Sequence, residues 1–244
     1  MNPSRPALRR IARRRAISAG RAASTGREGT GARVIEQRSV VHVIDDDPSF
    51  IKAIVRLLRA SGFEVAPYSS ARQFLDRESR DGPGCVITDL CMPGMDGLAL
   101  QKELAESGNP LPVVFLSGNA DVPHAVSAMR EGASDFLTKR ADLGQLMGAV
   151  TRALERDEER RTAESRKVEL RANFDTLTAR ERQVLAEVLR GRLNKQIADT
   201  LEIHERTVKL HRTSLTTKLG VRSAAQLARL AQEADLWLEL TQGS

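Results

Sequence analysis

From residue 40 to about residue 140, short apolar runs alternate with longer amphipathic segments, and this alternation constrains the fold most strongly. We expect strands at residues 40–44, 63–68, 85–90, 112–116 and 135–138, each followed by a segment with helical spacing of its apolar residues. Such repeated strand–helix units predict an α/β fold, a doubly wound five-stranded parallel sheet with helices on both faces. The carboxyl ends of the strands then share one edge, where ligands of such folds usually bind.

A purely helical pattern follows this region. Thr178 and Glu181 fit a capping box, Asn194 is expected to cap a second helix, and a third is expected from about residue 205. We therefore predict a small all-α domain of four helices after the α/β domain. The expected boundaries are a disordered Arg-rich leader at residues 1–38, the α/β domain at 39–155, a solvated helical linker at 156–173 and the helical domain at 174–240.

Charge is concentrated at the amino terminus. The chain has a net charge of +6, but residues 1–38 contain ten Arg and two Glu, so the remaining residues are slightly acidic. Three interpretations of this leader stay open: a nucleic-acid-binding arm, a targeting peptide, or an over-extended leader without function. No apolar run approaches the roughly 18 residues of a membrane helix, and two cysteines do not suggest a disulfide scaffold. We therefore expect a cytoplasmic protein with no membrane partner.

Acidic side chains collect at the predicted ligand-binding edge of the sheet. The side chains that end or follow its strands are Asp45, Asp46, Asp47, Asp89, Ser117 and Lys139. Crowded carboxylates repel one another, and a hard cation such as Mg²⁺, which prefers carboxylate and water oxygen, relieves this repulsion. With Mg²⁺ bound, a carboxylate can accept a phosphoryl group, while a hydroxyl and a lysine position it and neutralise its charge.

The motifs that carry these residues resemble the receiver domain of bacterial response regulators. They are residues 43–47, residues 89–97, Ser117-Gly118 and Lys139, and the resemblance covers residues 40–155. It implies that Asp89 accepts the phosphoryl group and that Ser117 and Lys139 bind its oxygens. It also implies that Mg²⁺ is held by Asp46, Asp89 and the backbone carbonyl of Cys91, that Asp45 acts through water, and that Phe136 is the switch aromatic.

The helical domain resembles the LuxR-type helix-turn-helix. Its matching motifs are residues 177–185, Gly191, residues 194–198, residues 207–212 and residues 218–220. The combination of both domains resembles the NarL/FixJ class of response regulators, and its FixJ-like branch in particular. The implied base contacts are Lys209, Leu210 and Thr213, and the implied phosphate contacts are Lys195, Arg206, Arg212 and Lys218.

This resemblance implies a two-component transcription factor. A sensor histidine kinase phosphorylates Asp89, the chain forms a homodimer through its fourth helix and fifth strand, and the dimer binds a double-stranded DNA operator with two half-sites. The receiver then catalyses only its own phosphorylation and dephosphorylation. Other interpretations are a phosphorylation-independent DNA-binding regulator, a phospho-signalling protein whose helical domain binds protein, and a metabolic phosphatase.

Two residues depart from the family pattern. Arg140 follows Lys139, where the family has a proline in a cis bond. A cis bond at a non-proline residue costs about 2.5–4 kcal/mol, so we expect a trans bond here and a displaced Lys139. His204 stands where the family has the Ser or Thr that caps the recognition helix, and loss of such a cap costs about 1 kcal/mol.

Overall fold

A five-stranded parallel sheet forms the first half of the protein, as the sequence predicts. The computed structural model describes residues 38–77, 82–108, 110–118 and 122–242, so the predicted leader lies outside the described residues except for Arg38. The strand order is β2-β1-β3-β4-β5, and every neighbouring pair is parallel. The strands are β1 (Val40–Ile44), β2 (Glu64–Tyr68), β3 (Gly84–Thr88), β4 (Val113–Ser117) and β5 (Asp135–Thr138).

Helices cover both faces of this sheet. They are α1 (Pro48–Ala60), α2 (Ala71–Leu75), α3 (Gly97–Glu106), α4 (Val122–Arg130) and α5 (Leu143–Asp175). One apolar core packs α1 and α5 against one face, and a second packs α2, α3 and α4 against the other. Strands β3 and β4 are buried at every position, because helices cover them on both sides.

The strand register sets the ligand-binding edge. Ile44 of β1 pairs with Thr88 of β3, so the residues that follow them, Asp45 and Asp89, are neighbours at the carboxyl edge. The Asp89 amide donates to the Ile44 carbonyl at 3.0 Å. On the other side of β3, Ser117 pairs with Thr138, and this places Lys139 directly beyond the last strand.

Helix α5 is 33 residues long and belongs to both halves of the protein. The solvated character predicted for residues 156–173 is wrong at Asp157 and Leu170, which are both 2% exposed. The burial of the Asp157 carboxylate is offset by its partners, because it accepts the Gly84 amide at 2.9 Å and pairs with Arg160 and Arg161. Leu170 is buried because α5 continues into the core of the helical domain.

The helical domain contains one helix more than predicted. Its helices are α6 (Ala179–Leu189), α7 (Asn194–Leu201), α8 (Glu205–Lys218), α9 (Ala224–Glu233) and α10 (Trp237–Gln242). The additional helix is the short α10, at which Leu236, Trp237 and Leu240 pack against the core. None of the helices in the described ranges is long and apolar enough to span a membrane.

The prediction that Asn194 caps α7 is wrong. Leu193 occupies the cap position, and its amide donates to the side-chain oxygen of Gln196 at 2.8 Å. The Asn194 side chain instead accepts a hydrogen bond from Arg212 of α8 at 2.9 Å. A contact between two helices has therefore replaced the local cap.

Candidate functional site

Three carboxylates meet at the carboxyl edge of the sheet. Asp45, Asp46 and Asp89 each offer an oxygen, and these atoms lie within 4.8 Å of one another. Asp45 and Asp89 are 1% and 8% exposed, whereas Asp46 is exposed to solvent. The cluster is thus buried where Asp45 and Asp89 follow their strands, and it is open to solvent on the side of Asp46.

Backbone amides orient the two buried carboxylates. Asp45 Oδ1 accepts the amide of Asp47 at 2.9 Å, and Asp89 Oδ1 accepts the amide of Leu90 at 2.7 Å. The second oxygen of each carboxylate faces Lys139, whose Nζ lies 2.6 Å from Asp45 Oδ2 and 2.9 Å from Asp89 Oδ2. A single ammonium therefore bridges the two buried acids.

The electrostatics of the site follow from this crowding. Burial raises the pKa of Asp45 above its ordinary value, and Lys139 offsets this rise only in part. For Lys139, burial lowers the pKa, but hydrogen bonds and charge interactions with Asp45 and Asp89 outweigh burial, so its pKa lies above the ordinary value. Lys139 is consequently charged at neutral pH.

The residues present fit a divalent cation. One ammonium does not balance three clustered carboxylates, and among the described residues Lys139 is the one partner of the buried Asp45 Oδ2. An all-oxygen donor set that is open to water is what Mg²⁺ prefers. Cys91, whose carbonyl is a predicted ligand, follows Asp89 by two residues and has an exposed side chain.

The expected displacement of Lys139 is wrong. No described peptide bond is cis, so the bond before Arg140 is trans as expected, yet the ammonium still reaches both acids. Two backbone hydrogen bonds hold the loop. The Lys139 amide donates to the Ser117 carbonyl at 2.8 Å, and the Ala141 amide closes a turn onto the Thr138 carbonyl at 2.9 Å. These bonds fix the loop without a proline.

The other predicted site residues lie next to this cluster. Ser117 ends β4 and is buried, 3% exposed. Phe136 of β5 is half-buried, and its ring centroid lies 6.0 Å from that of Phe115. Gly97 allows the loop after Asp89 to close, because a Cβ there would lie 2.4 Å from the Asp89 carbonyl oxygen and 2.8 Å from the Phe115 ring.

Helix α8 has one buried side and one exposed side. Val208 and Leu215 are fully buried in the domain core, while Leu210 is 64% exposed. The predicted contacts that lie exposed are Arg206, Lys209, Leu210, Thr213 and Lys218 on α8 and Lys195 on α7. A helix of this kind, with cationic and apolar side chains on its free side, can enter a major groove of DNA.

Two predicted phosphate contacts are engaged within the domain. Arg212 donates to Asn194, and Lys218 Nζ lies 2.7 Å from Glu181 Oε2 and 3.2 Å from the Thr176 carbonyl. The sequence did not identify Glu181 as the partner of Lys218, since a capping residue gives no local sign of a second role. At the other end of α8, His204 occupies the cap position without a side-chain cap bond, as its departure from the family pattern predicts.

Glu181 is the most strongly perturbed acid of the helical domain. Its capping box with Thr178 is confirmed, and Ser214 of α8 donates to its second oxygen at 2.6 Å. The hydrogen bond from Lys218, followed by those from Ser214 and the Thr178 amide, lowers the pKa of Glu181 from 4.5 to about 2. One carboxylate thus joins the start of α6 to the last turn of α8.

Comparisons with known proteins agree with this architecture. The family model for the response regulator receiver domain matches residues 41–151, and the model for bacterial regulatory proteins of the luxR family matches residues 175–231. Response regulator protein TodT of Pseudomonas putida is 42% identical over 204 residues, which cover 83% of this chain and 90% of TodT. Transcriptional regulatory protein FixJ of Azorhizobium caulinodans is 41% identical over 191 residues, 78% of this chain and 90% of FixJ.

A solved structure extends the similarity to three dimensions. The response regulator StyR aligns with a TM-score of 0.70 and 40% identity, over 80% of this chain and 99% of that chain. Receiver domains generally bind Mg²⁺ at an acidic pocket, and the carboxylate cluster described above lies within the matched receiver region. The chain therefore belongs to the response regulators of the NarL/FixJ class, transcription regulators whose LuxR-type DNA-binding domain is controlled by phosphorylation of the receiver.

Proposed function

We propose that Asp89 is the phosphoryl acceptor and that a sensor histidine kinase is the donor. The observation that carries this proposal is the bridging of Asp45 and Asp89 by Lys139 at an open carboxylate cluster. Asp89 Oδ1 is held by the Leu90 amide, so Oδ2 is the oxygen that attacks phosphorus. The new bond joins Asp89 to phosphorus, and the bond between phosphorus and the kinase histidine breaks.

Asp46, Asp89 and the carbonyl of Cys91 would hold Mg²⁺ in this proposal, and Asp45 would act through water. When bound, Mg²⁺ supplies neutralisation of the charge on the transferred phosphoryl group. Ser117 and Lys139 donate hydrogen bonds to phosphoryl oxygens, so Lys139 exchanges a carboxylate partner for the phosphoryl group. The Ser117 loop then moves inward and Phe136, which is only half-buried, turns in behind it.

The phosphorylated chain forms a homodimer through α4 and β5. An exposed apolar stripe on α4 supports this surface, since Val122, Val126 and Met129 are 72%, 43% and 48% exposed. Contiguous exposed apolar side chains usually mark interaction sites. The dimer acts in the cytoplasm, and the receiver catalyses no reaction other than its own phosphorylation and dephosphorylation.

The dimer binds a double-stranded operator with two half-sites. Lys209, Leu210 and Thr213 read base edges, and the exposed side chains of Lys195 and Arg206 contact phosphates. Arg212 and Lys218 contact phosphates through N–H groups that their internal partners leave available. A guanidinium has five such donors and an ammonium has three, so both kinds of contact are compatible.

Intact-mass measurement tests the phosphoryl-acceptor assignment. The full chain is incubated with an acyl phosphate and Mg²⁺, and the wild type is compared with Asp89→Asn and with a sample containing a chelator. We expect one phosphoryl group on the wild type alone, and only with Mg²⁺ present. A gain in Asp89→Asn would contradict the assignment, and equal gain with the chelator would contradict the metal requirement.

A further inference from the structure

The ammonium of Lys139 rests on an aromatic ring that none of the family motifs includes. The Phe50 ring centroid lies 4.5 Å from Lys139 Nζ, which is within the range of a cation–π contact. The Lys139 side chain is 20% exposed, so the ring shields the ammonium from part of the surrounding water. Lys139 Nζ therefore contacts two carboxylates on one side and the face of the Phe50 ring on another.

Two features hold the Phe50 ring in place. The backbone amide of Phe50 donates to Asp47 Oδ1 at 3.3 Å, as part of the cap at the start of α1. The ring also packs against the apolar core between α1, α5 and the sheet. Phe50 is thus anchored to the scaffold by its backbone and by the core, and it does not depend on Lys139 for its own position.

A lysine side chain has considerable rotamer freedom, and the ring restricts it. A lysine side chain loses rotamer entropy when it is ordered in one position. The backbone hydrogen bonds of Lys139 and Ala141 fix the loop, but they do not restrict the side-chain torsions of Lys139. We propose that Phe50 is a positioning residue for phosphoryl transfer, confining the Lys139 ammonium to the place from which it contacts the phosphoryl group.

This inference rests on the proposed function of Asp89 and is tested on the full chain by rate and by spectroscopy. Initial rates of mass gain from an acyl phosphate with Mg²⁺ are compared for the wild type, Phe50→Leu, which removes the ring, and Phe50→Tyr, which keeps it. Phe63→Leu is the matched control, because Phe63 is a half-buried ring on the same core. In parallel, NMR spectra of protein with ¹³C-labelled lysine report the Lys139 Cε protons. The signal that is absent from Lys139→Arg is assigned to them.

We expect Phe50→Leu to slow phosphorylation about fivefold, which corresponds to about 1 kcal/mol. Phe50→Tyr should restore the rate, and Phe63→Leu should leave it unchanged. The ring current should shift the Lys139 Cε protons upfield in the wild type and in Phe50→Tyr, and this shift should disappear in Phe50→Leu.

An unshifted Lys139 resonance in the wild type would overturn the inference, even if Phe50→Leu did not fold. A wild-type phosphorylation rate in Phe50→Leu would also overturn the inference. An equal loss of rate in Phe63→Leu would overturn it too, because it would indicate an effect of general core packing. A wild type that gains no phosphoryl group while Lys139 shows the ring-current shift would overturn the proposed chemistry and the positioning role, but not the contact itself.

Discussion

Glu181 Oε2 and Lys218 Nζ lie 2.7 Å apart and join the first turn of α6 to the last turn of α8. Glu181 is buried, whereas the Lys218 side chain is about a third exposed, so the carboxylate is shielded from water and the lysine reaches the surface. The recognition helix is therefore fixed at its carboxyl end by a charge from the helix that precedes the helix-turn-helix.

Stability of the helical domain should depend on the ionisation of Glu181. Its pKa is lowered from 4.5 to about 2 in the folded chain, so the unfolded chain binds the proton first as the pH falls. The resulting stabilisation is complete above the unfolded pKa and is lost as the pH drops toward 2. The chain has one tryptophan, Trp237, which packs on this core, so its fluorescence follows urea unfolding of this domain.

Glu181→Gln should lower the free energy of unfolding by about 1–2 kcal/mol at pH 7 and by less at pH 3, where the unfolded chain already carries the proton. Glu233→Gln is the control, since Glu233 is half-exposed and pairs with the exposed Arg229. Exposed pairs contribute about 0–1 kcal/mol. An equal loss for Glu181→Gln at both pH values would show that the charge of Glu181 does not stabilise the domain.

Asp157 should clamp α5 to the amino end of β3. Its buried carboxylate accepts the Gly84 amide and pairs with Arg160 and Arg161. Removing one partner of a buried ion pair costs about 3–5 kcal/mol, and the partial exposure of these arginines favours the lower value. We expect Asp157→Ala to accelerate hydrogen exchange at the Gly84 amide strongly, and Asp157→Asn, which keeps an acceptor, to do so less. Unchanged exchange in Asp157→Ala would rule out the clamp.

The two cysteines should differ in reactivity. Burial, followed by the nearby charge of Asp157, raises the pKa of Cys85 to about 12, whereas Cys91 is exposed. The thiolate is the reactive form, so a thiol reagent at pH 8 should label Cys91 alone in the native protein. In Cys91→Ser, labelling should begin only when denaturant unfolds the receiver. Rapid labelling of native Cys91→Ser would contradict the burial of Cys85.

A salt titration of DNA binding should distinguish residues that contact phosphates from residues that contact bases. Each phosphate contact adds about one unit to the slope of log K against log salt concentration. Lys195→Ala and Arg206→Ala should each reduce the slope by about one unit and leave the preferred sequence unchanged. Leu210→Ala should change the preferred sequence instead, and Arg229→Ala on α9 should change neither. A wild-type slope in Lys195→Ala and Arg206→Ala would remove both residues from the phosphate contacts.

The sheet and the acidic edge were predictable because both follow from short-range rules. Strand alternation gives the order of the elements, and parallel strands bring their carboxyl ends together, so Asp45 and Asp89 could be paired from the sequence. Two contacts join positions that are far apart in the sequence, so no local pattern reveals them. They are the hydrogen bond of Gly84 to Asp157 and the ion pair of Glu181 with Lys218. The position of Lys139 could not be predicted from Arg140, because backbone hydrogen bonds to the loop stand in for the missing proline.

Phosphorylation of Asp89 should control DNA binding, and a direct affinity measurement tests this dependence. A duplex is first selected from a random library with the phosphorylated full chain. Its affinity is then measured for wild type and Asp89→Asn, each before and after treatment with an acyl phosphate and Mg²⁺, with phosphorylation verified by mass. We predict that phosphorylated wild type binds about tenfold tighter or more, while Asp89→Asn does not respond. Equal affinity of phosphorylated and unphosphorylated wild type would show that phosphorylation does not control DNA binding.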